Sequence, residues 1–265
     1  MSSELLNYRD YENANEVVKQ QYHLKNKTTS YNYNRTVRNE NIQVGRWELD
    51  IMDAFKLMDN IIDTTDPDND SPQIYHFIQT GEACRSMYPD LDWFHLVGFI
   101  HDLGKIMALE SMHNLPIWLA AGDIYPLGCK FSTKIPFAEF FAENEDYNVY
   151  TTDLGIYTEN LGFDNTEFCF GHDEYLFQLL LQNKCQLPDE ALYIIRYHSF
   201  YSWHRDLEYQ NLASEKDWNM LKFLQSFSKC DLYSKEEFSA SDLMQKLPYY
   251  EKLIDKYFPS RILKF

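Results

Sequence analysis

The chain has 265 residues, of which 45% are hydrophobic and 16% aromatic, so it can bury a sizeable core. Its formal net charge of −17 repels phosphate backbones and argues against general nucleic-acid binding. No run of apolar residues is long enough to span a bilayer, so we expect no membrane helix.

The N terminus and the cysteines both favour an intracellular protein. The first residues, MSSELLNYRDYENANEVVKQ, lack the apolar stretch of a secretion signal, which favours a cytoplasmic location. The five cysteines are scattered and form no C-x-x-C motif. We therefore expect reduced thiols rather than a disulfide framework or a zinc knuckle.

The first distinct segment along the chain is residues 25–43, KNKTTSYNYNRTVRNENIQ. It is polar, rich in asparagine and locally basic, which is typical of a loop or an extended arm lying over a folded body. A disordered segment is the alternative that this composition leaves open.

From Arg46 onward, apolar residues recur at helical spacing. The spacing predicts helices in RWELDIMDAFKLMDNII and DWFHLVGFIHDLGKIMAL, and the proline and acidic residues of LPDEALYIIRYHSF are typical of a helix start. The same period continues in DEYLFQLLLQN, EKDWNMLKFLQSFSKCDLY and LPYYEKLIDKYF. Strand-like alternation is scarce, so we predict an all-α fold with a single helical domain. In it, residues 46–265 form the body and residues 1–45 pack on it as an N-terminal segment and arm.

Polar, titratable residues interrupt or end the apolar faces of these predicted helices. One such histidine or aspartate alone would usually be a satisfied core or helix-end residue. Buried carboxylates are costly unless they are paired or bind a metal, so the whole set favours a metal site between helices. The candidate ligands are His76, His101, Asp102, His172, His198 and Asp231.

His101 and Asp102 are neighbours in the string DWFHLVGFIHDLGK. Adjacent side chains on a helix diverge by about 100°, so the pair can flank two metals, with Asp102 offering one oxygen to each. Lys105 follows Asp102 by one helical turn and can hold a substrate oxygen or offset the carboxylate charge. Without a metal nearby, Lys105 would be an ordinary solvated lysine. We expect Gly104 to leave room beside the metals.

Longer strings carry a resemblance to a known family. HDLGK alone resembles the HD-domain superfamily, which places metals on a helical scaffold, and this short motif is moderately specific. The longer strings together resemble myo-inositol oxygenase, in order and from about Arg9 to the C terminus. They are DPDND, YHFIQTGEACR, DWFHLVGFIHDLGK, GDIYPLGC, GHDEYLFQ, IIRYHSFYSWH, KCDLYSK and YYEKLIDKYFP.

The resemblance implies an HD-type helical domain that holds two iron ions and converts myo-inositol and O2 to D-glucuronate. The active form would be a mixed-valent Fe(II)/Fe(III) pair. The substrate would supply all four electrons, so no reductase would be needed in each turnover. By motif match, one iron would be bound by His76, His101, Asp102 and Asp231, and the second by His172 and His198, with Asp102 bridging.

The resemblance also implies catalytic and substrate-binding positions. Lys105 would stabilise the substrate alkoxide, and Asp102 would act as the shared ligand. The remaining histidines match no ligand string: we expect His95 either to support a metal ligand or to pack in the core, and His113 and His204 to lie in loops or at the surface. The substrate-binding set is Arg9, Asp63, Thr65, Asp66, Lys105, Gly122, Asp123, Ser199 and Lys235.

Two other functions stay open from the sequence. An HD-type phosphohydrolase would use similar ligands, although the acidic charge counts against a phosphate substrate. A non-catalytic metal-binding module would keep the ligands without the reaction. Imidazole and carboxylate ligands suit iron, and the scattered cysteines argue against a structural zinc site.

Overall fold

A computed structural model of the protein describes residues 11–67, 73–232 and 240–265. These residues are mostly helical, which confirms the all-α prediction. The α-helices are α1 (Glu16–Thr28), α2 (Tyr31–Asn41), α3 (Ile51–Leu57), α4 (Gln73–Met87), α5 (Asp92–Ile100), α6 (Ile117–Ala120), α7 (His172–Gln182), α8 (Asp189–Tyr197), α9 (Tyr201–His204), α10 (Glu215–Leu232) and α11 (Ala240–Tyr257). Short 3₁₀ helices cover Met58–Asn60, Leu103–Ala108, Ala138–Glu143 and Phe163–Asn165.

One small antiparallel sheet joins the two ends of the helical body. Strand β1 (Glu48–Asp50) pairs with β2 (Ile262–Lys264), with Leu49 opposite Leu263. The C-terminal residue Phe265 is buried beneath it. Nothing in the described part of the chain forms a helix with the length and apolar character needed to cross a membrane.

The core is centred on α5, which packs against α4, α8, α10 and α11. Phe99 of α5 stacks on Phe55 of α3 and on Tyr250 of α11, with ring centroids 4.3 Å apart in both pairs. Helices α4 and α5 approach closely at Gly98, where a Cβ would lie 2.9 Å from the backbone of Gly81. This close crossing brings the start of α4 beside the end of α5.

The prediction of a loop or extended arm at residues 25–43 is wrong, because helices α1 and α2 cover most of that range. Both helices begin at capping residues. The side chain of Asn15 accepts from two backbone N–H groups at the start of α1, and Ser30 accepts from Tyr33 at the start of α2. The polar segment 25–43 is therefore mostly helical, while the proposed domain boundary at residue 45 stays a prediction.

Two buried asparagines explain why a loop-like composition forms these helices. Asn26 donates to the backbone carbonyl of Pro136 at 2.9 Å. Asn34 donates to the carbonyl of Phe168 at 2.9 Å and accepts from the N–H of Phe170 at 2.6 Å. These bonds to the body compensate for the weak helix propensity of asparagine.

The segment DWFHLVGFIHDLGKIMAL was predicted as one helix, and this prediction is wrong in its second half. Helix α5 ends at Ile100, and a 3₁₀ helix follows from Leu103. A Cβ at Gly104 would lie 2.2 Å from the carbonyl oxygen of His172, so this turn packs directly on the backbone that begins α7. The space at Gly104 is thus filled by the chain of His172 and is not room beside the metals.

Candidate metal centre

The six predicted ligands converge from five parts of the helical body. They lie at helix ends, where a side chain can leave the packed face of its own helix. His76 is in the first turn of α4, His101 and Asp102 directly follow α5, His172 is the first residue of α7, His198 directly follows α8, and Asp231 is in the last turn of α10.

His76, His101 and Asp231 form the first cluster. The Nε2 atoms of His76 and His101 lie 3.2 Å apart. The Oδ1 atom of Asp231 lies 3.1 Å from Nε2 of His76 and 3.2 Å from Nε2 of His101. Oδ2 of Asp102 lies 3.4 Å from Nε2 of His101. Four ligand atoms therefore face one small volume.

His172 and His198 form the second cluster, again through Nε2 atoms 3.2 Å apart. The other oxygen of Asp102, Oδ1, lies 3.1 Å from Nε2 of His172 and 3.5 Å from Nε2 of His198. Asp102 thus turns one oxygen to each cluster, which is the arrangement of a bridging carboxylate.

Hydrogen bonds on the far side of the imidazoles orient these ligands. The Nδ1 atoms of His101, His172 and His198 donate to the backbone carbonyls of Gly98, Ala120 and Ile195, at 2.9, 2.9 and 3.0 Å. Such bonds fix the tautomer and leave Nε2 as the ligand atom.

The orientation of the imidazoles shows whether these residues suit a pair of metals. Two Nε2 lone pairs facing each other repel unless a cation, either a proton or a metal, lies between them. Carboxylate oxygens also face the Nε2 atoms in both clusters, and their negative charge makes a cation between the ligand atoms still more necessary. A metal bound instead by His172, Asp173 and His198 would need the Nδ1 atoms, which are occupied as donors. The residues therefore fit two metals on the Nε2 side.

Comparison with known proteins shows the family of this chain. Residues 15–265 match the sequence model of the myo-inositol oxygenase family. The chain belongs to this family. Inositol oxygenase of Dictyostelium discoideum is 43% identical over 99% of this chain and 91% of its own length. Inositol oxygenase 2 of Arabidopsis thaliana is 40% identical over 96% of this chain and 82% of its own, and inositol oxygenase of Mus musculus is 43% identical over 85% and 80%.

Opposite charges in the site shift one another's pKa in this member of the myo-inositol oxygenase family. Burial alone would raise the pKa of Asp102, but the positive charges of Lys105 and His101 hold this pKa well below its ordinary value. Burial opposes protonation of His101, yet the charges of Asp102 and Asp231 raise its pKa to about 10. A proton on His101 thus takes the place that a metal cation would compete for.

Lys105 is the cation between the metal ligands and the predicted substrate positions. Its Nζ lies 2.7 Å from Oδ2 of Asp102 and 2.6 Å from Oδ2 of Asp63, and all three side chains are buried. Burial would lower the pKa of Lys105, but the two carboxylates outweigh it and raise this pKa. The lysine is therefore held charged and fixed in place.

Most of the predicted substrate positions in the described residues line one cavity beside the metal ligands. Thr65 donates to Oδ1 of Asp63 from its hydroxyl at 2.5 Å and from its backbone N–H at 2.9 Å. Asp123 does not line the cavity: its Oδ1 accepts from the hydroxyl of Tyr22 in α1 at 2.7 Å. Arg9 and Lys235 lie outside the described residues. The predicted residues that line the cavity are Asp63, Thr65, Asp66, Lys105, Gly122 and Ser199, together with the six metal ligands.

The structure adds residues that the sequence did not point out. Tyr201 lines the cavity, and its hydroxyl lies 3.2 Å from Oδ2 of Asp231. Gln73 is buried and accepts from Nζ of Lys105 at 3.3 Å. Asp173 lies behind His172 and His198. Only Asp173 had a sequence signal, because it follows His172 as Asp102 follows His101.

The unassigned histidines differ in outcome. His95 packs as predicted, with its ring nitrogens 2.6 Å from the hydroxyl of Tyr249 and 2.8 Å from the carbonyl of Tyr88. The prediction of a loop or surface position for His204 is wrong. It is buried in α9 and donates to the carbonyl of His198 at 2.9 Å, because α9 folds back on the end of α8. His113 lies in a turn and is half-buried.

Metal loading should stabilise the protein, because a metal that binds the assembled clusters of the folded state and not the unfolded chain shifts the folding equilibrium. A metal at 100 times its dissociation constant adds about 2.7 kcal/mol to the free energy of unfolding. In a chain of this size that corresponds to a rise of roughly 5–10 °C in Tm. Anaerobic thermal unfolding with Fe(II) measures the rise, and Mg²⁺ is the control. An equal rise with Mg²⁺, or none with Fe(II), would contradict the imidazole-rich site.

Proposed function

We propose that this protein is a di-iron oxygenase that cleaves the ring of myo-inositol with O2 to give D-glucuronate. The observation that carries the proposal is the pair of imidazole–carboxylate clusters that share Asp102 beside a polar cavity. Membership of the myo-inositol oxygenase family supports the reaction and the substrate. Iron suits the mixed imidazole and carboxylate ligands.

The residues proposed for each iron are those of the two clusters. His76, His101 and Asp231 would hold the first, and His172 and His198 the second, with Asp102 shared. When bound, the iron pair supplies the Lewis acidity and the redox chemistry with O2. With the pair in its mixed-valent Fe(II)/Fe(III) form, O2 would accept all four electrons that the substrate loses, so no reductase would be needed in each turnover.

Lys105 is the proposed catalytic residue of the protein itself. A substrate hydroxyl that loses its proton near the metals carries a negative charge, and Nζ of Lys105 is fixed where it can stabilise that charge. Asp63 and Thr65 hold Lys105 from the other side. Because this arrangement exists before substrate binds, little reorganisation is needed during the reaction.

The remaining cavity residues would orient the substrate. A cyclitol carries a hydroxyl on every ring carbon, each able to donate and accept a hydrogen bond. Asp63, Asp66, Thr65, Ser199 and the backbone at Gly122 offer polar groups around the cavity. Arg9, Asp123 and Lys235 are proposed as outer contacts from the family resemblance. A site built from such groups discriminates against an analogue that lacks a hydroxyl.

A phosphohydrolase fits this cavity less well. Among the described residues that line it, Lys105 is the one lysine or arginine, and two carboxylates already bind it. Asp63, Asp66, Asp102 and Asp231 contribute negative charge around it. A phosphate ester would meet repulsion that a neutral polyol avoids.

Oxygen consumption tests the proposal directly. Metal-free protein is loaded anaerobically with Fe(II), partly oxidised, and mixed with myo-inositol and O2. We expect one O2 consumed for each D-glucuronate formed, without any added reductant. Absence of O2 uptake by protein that holds two irons per chain, or release of phosphate from esters, would refute the oxygenase.

The Lys105→Gln variant should separate catalysis from metal binding. Loss of the charge should lower kcat about 10²–10³-fold, the usual effect of removing one donor to a developing negative charge. The iron content should stay at the wild-type value, because Lys105 binds Asp102 and not the metals. Steady-state kinetics with iron analysis measures both, and Lys105→Arg is the charge-keeping control. Full activity in Lys105→Gln would remove Lys105 from the proposed role.

A further inference from the structure

Asp173 is a buried carboxylate that the two-metal arrangement does not use as a ligand. It is 1% exposed in the first turn of α7. Its Oδ2 lies 3.3 Å from Nδ1 of His172, and its Oδ1 lies 3.2 Å from Nδ1 of His198. Oδ1 also accepts from the backbone N–H of Ser199 at 3.3 Å. One carboxylate thus contacts both ligands of the second cluster and the residue that follows one of them.

The charge of Asp173 is compensated differently from that of its neighbours. Asp102 shares Lys105, and the adjacent Glu174 pairs with Arg38 and Arg196. Among the described residues, Asp173 pairs with histidines and with no lysine or arginine. A buried carboxylate without a cation costs free energy. The imidazoles can supply the missing positive charge when a cation binds at their Nε2 atoms.

We propose that Asp173 is a positioning residue for the second metal, through both of its histidine ligands. Its negative charge behind the two rings makes their Nε2 atoms stronger donors and favours a positive charge on the far side of the rings. Carbonyl hydrogen bonds orient the rings, while Asp173 supplies the electrostatic part of their support. This proposal rests on the two-metal site of the proposed function.

If Asp173 positions the ligands of the second metal, removing its charge should weaken binding of that metal without lowering the stability of the metal-free protein. Asp173→Asn keeps the shape and the acceptor for the N–H of Ser199 but removes the charge. We expect the second metal to bind about 10–100-fold more weakly, the usual cost of losing a supporting residue. The first metal should bind as in the wild type. At pH 8 the Tm of the metal-free protein should stay equal or rise, because a buried charge is lost.

Asp217 provides a matched control at the same exposure of 1%. Its carboxylate accepts from the hydroxyl of Tyr193, from the N–H and the hydroxyl of Ser214 and from the N–H of Phe163, away from the metal ligands. Asp217→Asn should therefore lower the Tm of the metal-free protein and leave both metal affinities unchanged. If the loss of any buried carboxylate had the same general effect, Asp173→Asn and Asp217→Asn would change the Tm and the metal affinities alike.

Anaerobic calorimetric titration with Fe(II) measures the two binding steps, and His198→Ala identifies the second-site step as the one that it removes. Mössbauer spectra of the loaded proteins should change for one iron only in Asp173→Asn. Wild-type affinity at the second site would overturn the inference, as would a metal-free variant that loses stability or fails to fold. Wild-type protein that does not bind two irons would instead contradict the proposed function.

Discussion

We expect Asp102→Ala to lose both metals and the oxygenase activity together. Asp102 is buried and gives Oδ2 to the His76 and His101 side and Oδ1 to the His172 and His198 side. Its removal takes one ligand atom from each cluster. Loss of a supporting residue weakens metal binding by 10–100-fold, so loss of a shared ligand should weaken each site by more than about 100-fold.

The comparison with Asp231→Ala makes this prediction specific. Asp231 contacts His76 and His101 and lies in the first cluster alone. Iron analysis after gel filtration should find neither metal in Asp102→Ala, whereas Asp231→Ala should retain the second. If Asp102→Ala keeps one metal at wild-type affinity, Asp102 does not bridge. If it keeps both, the ligand assignment fails altogether.

The sequence pointed to the six candidate ligands because polar residues at the ends of apolar helices leave a clear pattern. His76, His172 and Asp231 stand where apolar periodicity starts or stops, and His101 with Asp102 interrupts a strongly apolar string. Titratable residues are unusual within an apolar core, and the strings that resemble the family contain these residues in the same order along the chain. The structure shows that these side chains meet, which spacing within single helices could only suggest.

Long-range packing accounts for the predictions that were wrong. Residues 25–43 looked like a loop because asparagine favours turns in isolation. Asn26 and Asn34, however, bond to backbone groups more than a hundred residues away. The break after Ile100 has the same origin, since apolar spacing continues through it while contact with the start of α7 bends the chain.

The supporting residues of the site were the hardest to predict. Gln73 contacts Lys105 and Tyr201 contacts Asp231, and individual contacts of this kind leave no periodic pattern in a sequence. Asp123 stays a predicted substrate contact, and its carboxylate accepts from the hydroxyl of Tyr22 in α1. Helix α1 therefore contacts the neighbour of Gly122, which lines the cavity, and the composition of α1 did not indicate that contact.

Gly104→Ala should disrupt the centre without changing any ligand. The new Cβ would lie 2.2 Å from the carbonyl oxygen of His172 and 2.9 Å from its carbonyl carbon. Both are backbone atoms, so relief requires the start of α7 to move and His172 to move with it. Overpacking usually costs 1–3 kcal/mol, and a backbone clash should reach about 3 kcal/mol. We expect Tm to fall by roughly 6–12 °C and the second metal to be lost before the first.

Gly171→Ala is the matched control, because it also adds a methyl group beside His172. Its Cβ would lie 3.3 Å from the carbonyl oxygen of Leu119, a tight contact that a few tenths of an ångström relieve. We expect a small change in Tm and unchanged metal content. Thermal unfolding and iron analysis of both variants decide the matter. If Gly104→Ala keeps two irons and the wild-type Tm, the contact between the 3₁₀ helix and the start of α7 does not position His172. If both variants lose iron and stability to the same extent, any added volume near His172 disrupts the site. The contact at Gly104 then has no specific role in positioning His172.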